Sequence, residues 1–248
     1  MSIAEKLQTI AENEQKVYEA GKQAEYDACW DSYQDYGNRD YYSGAFGGAG
    51  WVEIIGEMKY PIKLGAYRAC CEYMFAYFNR DKTGNAPLYD MTELSKKIDF
   101  SQVMSANNTF NNARIKNLTC DFSNAESLNS TFSGGNGGII ENLTLKVTDK
   151  CKNFTAIFSY QTAMTTIGFT DDSVIAASIS FAQSPLIKES ITNIMNTLSL
   201  NVTGCTVTFK KFAVDTAFET AEGLGDGSTS AEWLALRATK ENWTVTLV

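Results

Sequence analysis

One pattern of apolar positions occurs three times between residues 115 and 181. Each copy has an apolar residue, two free positions, a second apolar residue, one free position and a third apolar residue. The first residues of the copies lie 25 residues apart (115 to 140) and then 24 (140 to 164). A period in the twenties is typical of a solenoid, in which each repeat buries its apolar face against its neighbours. The copies are Ile115-Leu118-Cys120, Ile140-Leu143-Leu145 and Met164-Ile167-Phe169.

A phenylalanine closes each of these repeats after a polar stretch, namely Phe132, Phe158 and Phe181. Chance similarity would seldom preserve both the apolar triplet and the closing phenylalanine, so the pattern favours repeats over an irregular all-β domain. Weaker copies are expected on both sides of the three. They comprise Ile98, Phe100 and Phe110 before the repeats, and Val202, Cys205 and Val207 after them.

The alternation within each strand predicts a polar outer face. Residues two apart in a strand share a face, and the apolar residues of each strand should share the inward face. Leu118, Leu143 and Ile167, one in each strand, should therefore point inward and the residues next to them outward. The outward residues form a hydroxyl-rich strip that is a candidate site for a glycan, whereas the alternative is that threonine is simply favoured on solvated strands. The candidate binding residues are Thr119, Asp121, Thr144, Lys146, Thr170, Thr206 and Thr208.

Residues 1–30 are predicted to form one helix with an imperfect heptad seam. Glu14 and Gly21 interrupt the seam, so we interpret the helix as an oligomerisation or docking element. A trimer is expected by analogy with fibres. The alternative is an amphipathic helix packed on its own domain. The predicted oligomerisation residues are Ile3, Leu7, Ile10, Val17 and Ala24.

The remaining chain divides into three parts by composition. Residues 31–87 are predicted to be an aromatic and glycine-rich connector and cap. A loop in this part, with Tyr41, Phe46 and Trp51, is a second candidate for binding. Residues 66–79 are predicted to form a buried helix or strand. Residues 88–212 form the predicted solenoid and residues 213–248 a C-terminal α/β cap. Further expected elements are a helix opened by Ser184-Pro185, a strand at 206–209, a helix capped by Ser230 and a strand at 243–247.

Composition excludes several classes of protein. The 248-residue chain has a formal net charge of −8 and a pI near 4.7, which argues against a binder of nucleic acid or anionic membranes. The start, Met-Ser-Ile-Ala-Glu-Lys, lacks a secretory signal, so export by the usual route is not expected. The six cysteines are expected to be small buried hydrophobic residues of a protein made in a reducing compartment.

Catalytic chemistry has little support in the sequence. The chain has no histidine, which is the commonest general base and metal ligand. Asp149, Asp171 and Asp172 are interpreted as turn residues, although a catalytic carboxylate pair is the alternative. No enzymatic activity, cofactor or metal is therefore expected.

The repeat units resemble bacterial leucine-rich repeats of the BspA type. The resemblance lies in Leu-Thr-Cys-Asp-Phe with Ser-Thr-Phe, and in Leu-Thr-Leu-Lys-Val with Ala-Ile-Phe. The specific part of the resemblance lies in the termini, which include Ile-Ala-Glu-Lys-Leu-Gln at residues 3–8 and Glu-Trp-Leu-Ala-Leu-Arg at residues 232–237. With these termini, the chain is similar to leucine-rich-repeat tail proteins of phages and prophages from gut Gram-positive bacteria. The implied fold is β-rich α/β: a degenerate leucine-rich-repeat solenoid with short parallel strands, an N-terminal coiled-coil helix and an α/β C-terminal cap.

The resemblance implies a non-enzymatic protein of the virion, made in the host cytoplasm and placed at the host-facing end of the tail as a fibre or receptor-binding module. Its expected partners are other tail proteins, through the N-terminal helix, and a polymer or glycan of the bacterial surface. The alternatives are a tail-carried glycan hydrolase that cleaves the cell wall and a bacterial surface adhesin, which would need an export signal.

Overall fold

The computed structural model describes residues 62–63, 69–79, 87–218 and 230–248. These residues all belong to a compact unit that spans 41–248. The predicted amino-terminal helix, with Ile3, Leu7, Ile10, Val17 and Ala24, lies outside the described residues, as does the aromatic loop with Tyr41, Phe46 and Trp51.

Short strands and helices alternate along the described residues. The helices are α1 (Thr92–Ser95), α2 (Lys188–Thr197), α3 (Lys211–Phe218) and α4 (Ala231–Ala238), and Gly135–Gly137 form a 3-10 turn. The strands are β1 (Ile62–Lys63), β2 (Ala69–Cys70), β3 (Tyr89–Asp90), β4 (Ile98–Asp99), β5 (Val103–Ser105), β6 (Arg114–Phe122), β7 (Ile139–Val147), β8 (Thr166–Phe169), β9 (Ile179–Phe181), β10 (Cys205–Phe209) and β11 (Trp243–Leu247).

The paired strands are parallel, which makes the described part a mixed α/β structure. One sheet has the order β3-β6-β7-β8 and another the order β11-β10-β9, while β1 pairs with β4 and β2 with β5. None of these sheets closes into a barrel within the described residues.

The register of the four-stranded sheet follows the sequence repeat. Leu118 pairs with Leu143, and Leu143 pairs with Ile167. All three side chains are at most 2% exposed. The predicted inward and outward alternation of β6, β7 and β8 is therefore confirmed.

The closing phenylalanines form one continuous stack through the core. The ring centroids of Phe132 and Phe158 lie 5.8 Å apart, and those of Phe158 and Phe181 lie 5.0 Å apart. Trp233 of α4 meets the last ring edge-on. Buried aromatic pairs of this kind add to stability beyond their apolar area. The stacked rings, in order, are Phe75, Phe110, Phe132, Phe158, Phe181 and Phe209.

The segment that carries each phenylalanine contains a residue with an unusual backbone conformation. The residue two positions before the ring has a positive φ in several repeats, for example 58° at Asn108, 54° at Ser130 and 52° at Ala156. This conformation costs about 1 kcal/mol or more for a residue with a Cβ. Backbone hydrogen bonds between repeats offset the cost, since the N–H of Phe110 donates to Thr131 O at 2.8 Å.

The predicted copy before the first strong repeat has a different pairing. Tyr89, rather than Ile98, pairs with Ile115, and Ile98 pairs with Ile62. The short helix α1 separates the two strands. Segment 69–79 is a two-residue strand followed by turns, rather than one helix or strand, and it contributes Phe75 to the stack.

The predicted copy after the strong repeats lies in a different sheet from the three strong copies. Val207 pairs with Ile179, and Phe209 pairs with Phe181. The strand β10 therefore continues the row of closing phenylalanines rather than the row of Leu118 and Leu143. Helix α2 begins at Lys188, later than Ser184-Pro185 predicted. Ser230 does cap α4, with its hydroxyl accepting from Trp233 N–H at 3.3 Å, and the last strand is confirmed.

Three residues near the carboxyl end hold the segment that follows α2. The buried Lys240 Nζ donates to Leu198 O at 2.6 Å. Asn242 Nδ2 and Trp243 Nε1 both donate to Ser199 O, at 2.9 Å and 2.8 Å. Burial lowers the pKa of the Lys240 ammonium. These contacts fix the carboxyl end of α2, whose first part forms one wall of the site described next.

Candidate functional site

The outward residues of β6, β7 and β8 stand in rows across the sheet. Thr119 pairs with Thr144, and Thr144 pairs with Gly168, as the sequence predicts. The next row pairs Asp121 with Lys146. Both threonines are exposed. The structure thus brings these predicted site residues together on one face.

Lys146 is held between two carboxylates. Its Nζ lies 2.5 Å from Asp172 Oδ2 and 3.9 Å from Asp121 Oδ2. The Lys146 hydrogen bond lowers the pKa of Asp172, and the same bond raises the pKa of Lys146. Thr170 Oγ1 also donates to Asp172 Oδ1, at 2.8 Å. The charged side chains of the row that the sequence predicts are therefore engaged in ion pairs with one another and with Asp172.

Thr206 and Thr208 do not extend the strip. Both lie on β10, whose partners are β9 and β11, and Thr208 pairs with Ser180 and Thr246. Neither residue belongs to the sheet of Thr144. This part of the predicted site is wrong. The spacing of Val202, Cys205 and Val207 resembles that of strands β6, β7 and β8, but the strand lies in the sheet of β9 and β11.

A ladder of amide side chains runs beside the threonine row. Asn117 Nδ2 donates to Asp90 Oδ2 at 2.8 Å, and Asn142 Nδ2 donates to Asn117 Oδ1 at 3.0 Å. Hydrogen bonds from the Thr92 hydroxyl and N–H, and then from Asn117, lower the pKa of Asp90. The sequence analysis does not predict this ladder, although Asn-Leu-Thr occurs at both 117–119 and 142–144 and is the signal from which it could have been found.

Helices cover the parts of both sheet edges that lie beside the threonine row, beyond the short strand β3 on the β6 side. On the β6 side, the Thr119 N–H donates to Ser95 Oγ at 3.2 Å. On the β8 side, the Ile167 N–H donates to Ser190 Oγ at 3.0 Å, and Asn193 both accepts from and donates to the backbone of Phe169, at 2.6 Å and 3.0 Å. The edge groups that would otherwise pair with another chain are thus satisfied.

A groove of about 390 Å³ opens between these strands and α2. Its floor combines the amide row and the threonine row, and its wall is the first part of α2. Neither lysine nor arginine is among its lining residues. The residues around it are Asn117, Leu118, Thr119, Asn142, Leu143, Thr144, Thr166, Ile167, Gly168, Ile187, Glu189, Ser190 and Asn193.

Several polar groups of the groove are open to a ligand. The side chains of Thr144 and Glu189 make no hydrogen bond or ion pair with any residue that the structure describes. At Gly168, an added Cβ would meet nothing within 4 Å. The position of Gly168 beside Thr144 follows from the sequence period. The contribution of Glu189 could not be predicted from that period, since this residue lies on α2 and not on a repeat strand.

The other chemical groups singled out in the sequence lie apart from the groove. Burial raises the pKa of the Cys120 thiol, and it raises the pKa of Cys151 to about 11. Asp149 and Asp171 are exposed turn residues. Across the described ranges, no group of three or more Cys, Asp or Glu side chains is placed to hold a metal ion.

Comparison of the chain with protein-family models, with curated proteins and with solved structures gives no match. None of the helices that the structure describes has the length and hydrophobicity to cross a membrane.

Proposed function

We propose that the chain is a leucine-rich-repeat solenoid of the BspA kind and acts as a non-enzymatic receptor-binding module of a phage tail. The observation that carries the binding role is the groove. Two Asn-Leu-Thr motifs place the same amide and hydroxyl groups on adjacent strands, next to a helix that supplies a carboxylate. Polar groups fixed on a rigid sheet lose little entropy when they bind a ligand.

The register of the sheet and the aromatic stack support the solenoid. Leu118, Leu143 and Ile167 lie in neighbouring strands although they are separated by one sequence period each. In this interpretation the short strand β3 with α1 covers one end of the four-stranded sheet and α2 covers the other. Residues 230–248 cap the aromatic stack through Trp233. A core built in this way supports a face that is available for recognition.

The charges near the groove favour binding over hydrolysis. A glycosidase of the usual kind needs one carboxyl group with a raised pKa as general acid. Glu189 is the one carboxylate among the lining residues of the groove, so the groove lacks the pair of carboxyl groups that such an enzyme uses. In the adjoining row, the pKa of Asp172 is lowered. Asp121 belongs to the same ion-paired group.

The location in a virion is supported by the resemblance of the chain termini to tail proteins of phages from gut Gram-positive bacteria. In the proposed arrangement, residues 1–30 attach the protein to other tail components as a homo-oligomer. The groove then contacts a cell-surface polymer. The protein would be made in the host cytoplasm and incorporated into the particle there.

Sedimentation with cell walls tests the binding role. The labelled intact protein is mixed with purified walls from a panel of gut Gram-positive bacteria, and the fraction in the pellet is measured. We expect saturable binding to some of the walls and no increase in released reducing ends. An increase in reducing ends would instead favour the glycan hydrolase, and the absence of binding to every wall would overturn the receptor-binding role.

A second measurement tests the virion role separately. Particles of the phage or prophage that encodes the chain are purified on a density gradient, and their proteins are identified by mass spectrometry. We expect the chain to remain with the particles at a constant ratio to other tail proteins. Its loss during purification would contradict a role in the tail.

A further inference from the structure

The amide ladder has only one orientation that satisfies its hydrogen bonds. Ionised Asp90 carries acceptors alone, so Asn117 must turn its Nδ2 toward it. The Oδ1 of Asn117 then faces Asn142 and accepts from the Nδ2 of that residue. As a result, Asn142 Oδ1 is left as an acceptor without a hydrogen bond from any described residue. The charge of Asp90 polarises the chain of amides and strengthens this acceptor.

Glu189 adds a charged acceptor on the wall of the groove. It lies in the first turn of α2 and is exposed. The neighbouring Lys188 is already paired with Glu232, at 2.5 Å. The carboxylate of Glu189 is therefore available to accept hydrogen bonds from a ligand, and it makes the groove negative.

The charged residues beside the groove also favour ligands that donate hydrogen bonds over anionic ligands. Lys146, in the adjoining row, is paired with Asp172 and lies near Asp121, so the three side chains together carry a net negative charge. A phosphate or carboxylate on a ligand would meet repulsion here. At the rim, Ile187 is 43% exposed and offers an apolar contact for the C–H groups of a ligand.

We infer that the groove binds the hydroxyl groups of a neutral or amino-substituted carbohydrate, with Asn142 Oδ1 and the Glu189 carboxylate as acceptors. Hydroxyl and ammonium groups donate to such acceptors, whereas anionic polymers are disfavoured. The volume of about 390 Å³ lies in the range of small-ligand sites, so the groove takes a short segment of a glycan. This inference rests on the proposed function, because it names the chemistry of the receptor that the module binds.

Gly168 permits a steric test that leaves the core untouched. The variant Gly168→Met places a side chain on the floor of the groove, where a Cβ meets nothing within 4 Å. Its matched control is Thr244→Met, on an exposed position of β11 in the other sheet. Both variants add one methionine to an outward strand position, so circular dichroism should report the same fold for each.

Glu189→Gln tests the charged acceptor without a change in side-chain size. Replacing the carboxylate with an amide should weaken binding of the carbohydrate about tenfold, since hydrogen bonds to charged groups are the stronger ones. The control Glu126→Gln removes the same charge from an exposed position on a return segment. It should change the dissociation constant less than about twofold.

The probe is a printed array of bacterial glycans that includes neutral, amino-substituted, uronic and phosphorylated members. We expect the labelled intact protein to retain neutral or amino-substituted glycans, Gly168→Met to lose them, and Thr244→Met to keep them. Retention of anionic glycans alone, retention of none, or equal retention by Gly168→Met would overturn the inference. If Gly168→Met still sediments with cell walls, the receptor-binding role stands and only the assignment to this groove fails.

Discussion

The rings of Phe132 and Phe158 stack face to face, with centroids 5.8 Å apart and an angle of 8° between their planes. The two residues close successive repeats, and both are at most 2% exposed. Each ring therefore packs on the ring before it and on the ring after it. The repeats are joined by this stack as well as by the hydrogen bonds of the sheet.

Replacement of either ring should leave a cavity that the neighbouring rings cannot fill. We expect Phe132→Ala and Phe158→Ala each to lower the free energy of unfolding by about 3 to 5 kcal/mol. Urea denaturation followed by circular dichroism measures the change. The matched control is Tyr160→Ala, whose ring is 61% exposed and should cost little. Near-neutral stability for both phenylalanine variants would contradict the stacked core.

A buried glutamine joins the end of one repeat to the start of another. Gln161 is 1% exposed; its Oε1 accepts from the Ile140 N–H at 2.9 Å, and its Nε2 donates to Phe132 O at 2.6 Å. Gln161→Leu should leave both backbone groups unpaired, which costs about 1 to 3 kcal/mol for each buried group. Differential scanning calorimetry should show a lower melting temperature.

The comparison variant for this glutamine is Gln102→Leu. Gln102 is exposed, and its side chain makes only a long contact of 3.4 Å with Ser101 Oγ. The substitution Gln102→Leu should therefore leave the melting temperature nearly unchanged. Equal effects of the two substitutions would mean that the bridge made by Gln161 does not stabilise the fold.

The strands with a regular apolar period could be predicted from sequence. Leu118, Leu143 and Ile167 had a common spacing, and burial of one strand face fixes such a register strongly. The closing phenylalanines could be predicted for the same reason. Both features depend on local periodicity, which a single sequence records.

The features that break the period could not be predicted in this way. Helix α2 occupies the edge of β8, where Ser190 and Asn193 bind the backbone of the strand. The pair Ser184-Pro185 predicts a helix in this region, but nothing in the spacing indicates that the helix would pack at the edge of β8. Val207 shows the converse case. Its spacing predicts a place beside β6, β7 and β8, whereas its partner Ile179 places it in the sheet of β9, β10 and β11.

Deletion of residues 1–28 tests the predicted role of the amino-terminal helix. We expect the intact protein to be an oligomer because of the apolar seam that includes Ile3, Leu7 and Ile10, and a trimer is favoured by analogy with fibres. The shortened chain should be a folded monomer, since the described residues belong to the compact unit of 41–248. Light scattering coupled to size-exclusion chromatography measures both masses. A monomeric intact protein at micromolar concentration would rule out the seam as an oligomerisation element.

The Lys146 ion pairs make a prediction about pH. Because the Lys146 hydrogen bond lowers the pKa of Asp172, this carboxylate stabilises the fold above pH 3.8 and loses that contribution as the pH falls through its folded pKa. The pKa of Lys146 is raised, so its contribution is complete below pH 10.5 and is lost as the pH rises through its folded pKa. Any loss of stability in Lys146→Met should therefore be largest between these limits and vanish on either side.

The size of this effect should be small because the two side chains are solvent-accessible and salt screens the pair. NMR titration gives a sharper measurement than unfolding. In Lys146→Met, the carboxyl carbon of Asp172 should titrate closer to 3.8 than in the unmodified protein, since it loses its largest stabilising hydrogen bond. Thr170→Val provides the comparison, because it removes only the hydroxyl that donates to Asp172 Oδ1 and should shift the titration less. If the Asp172 titration is unchanged in Lys146→Met, the lysine does not hold the carboxylate in solution, and Lys146 becomes available to an anionic ligand beside the groove.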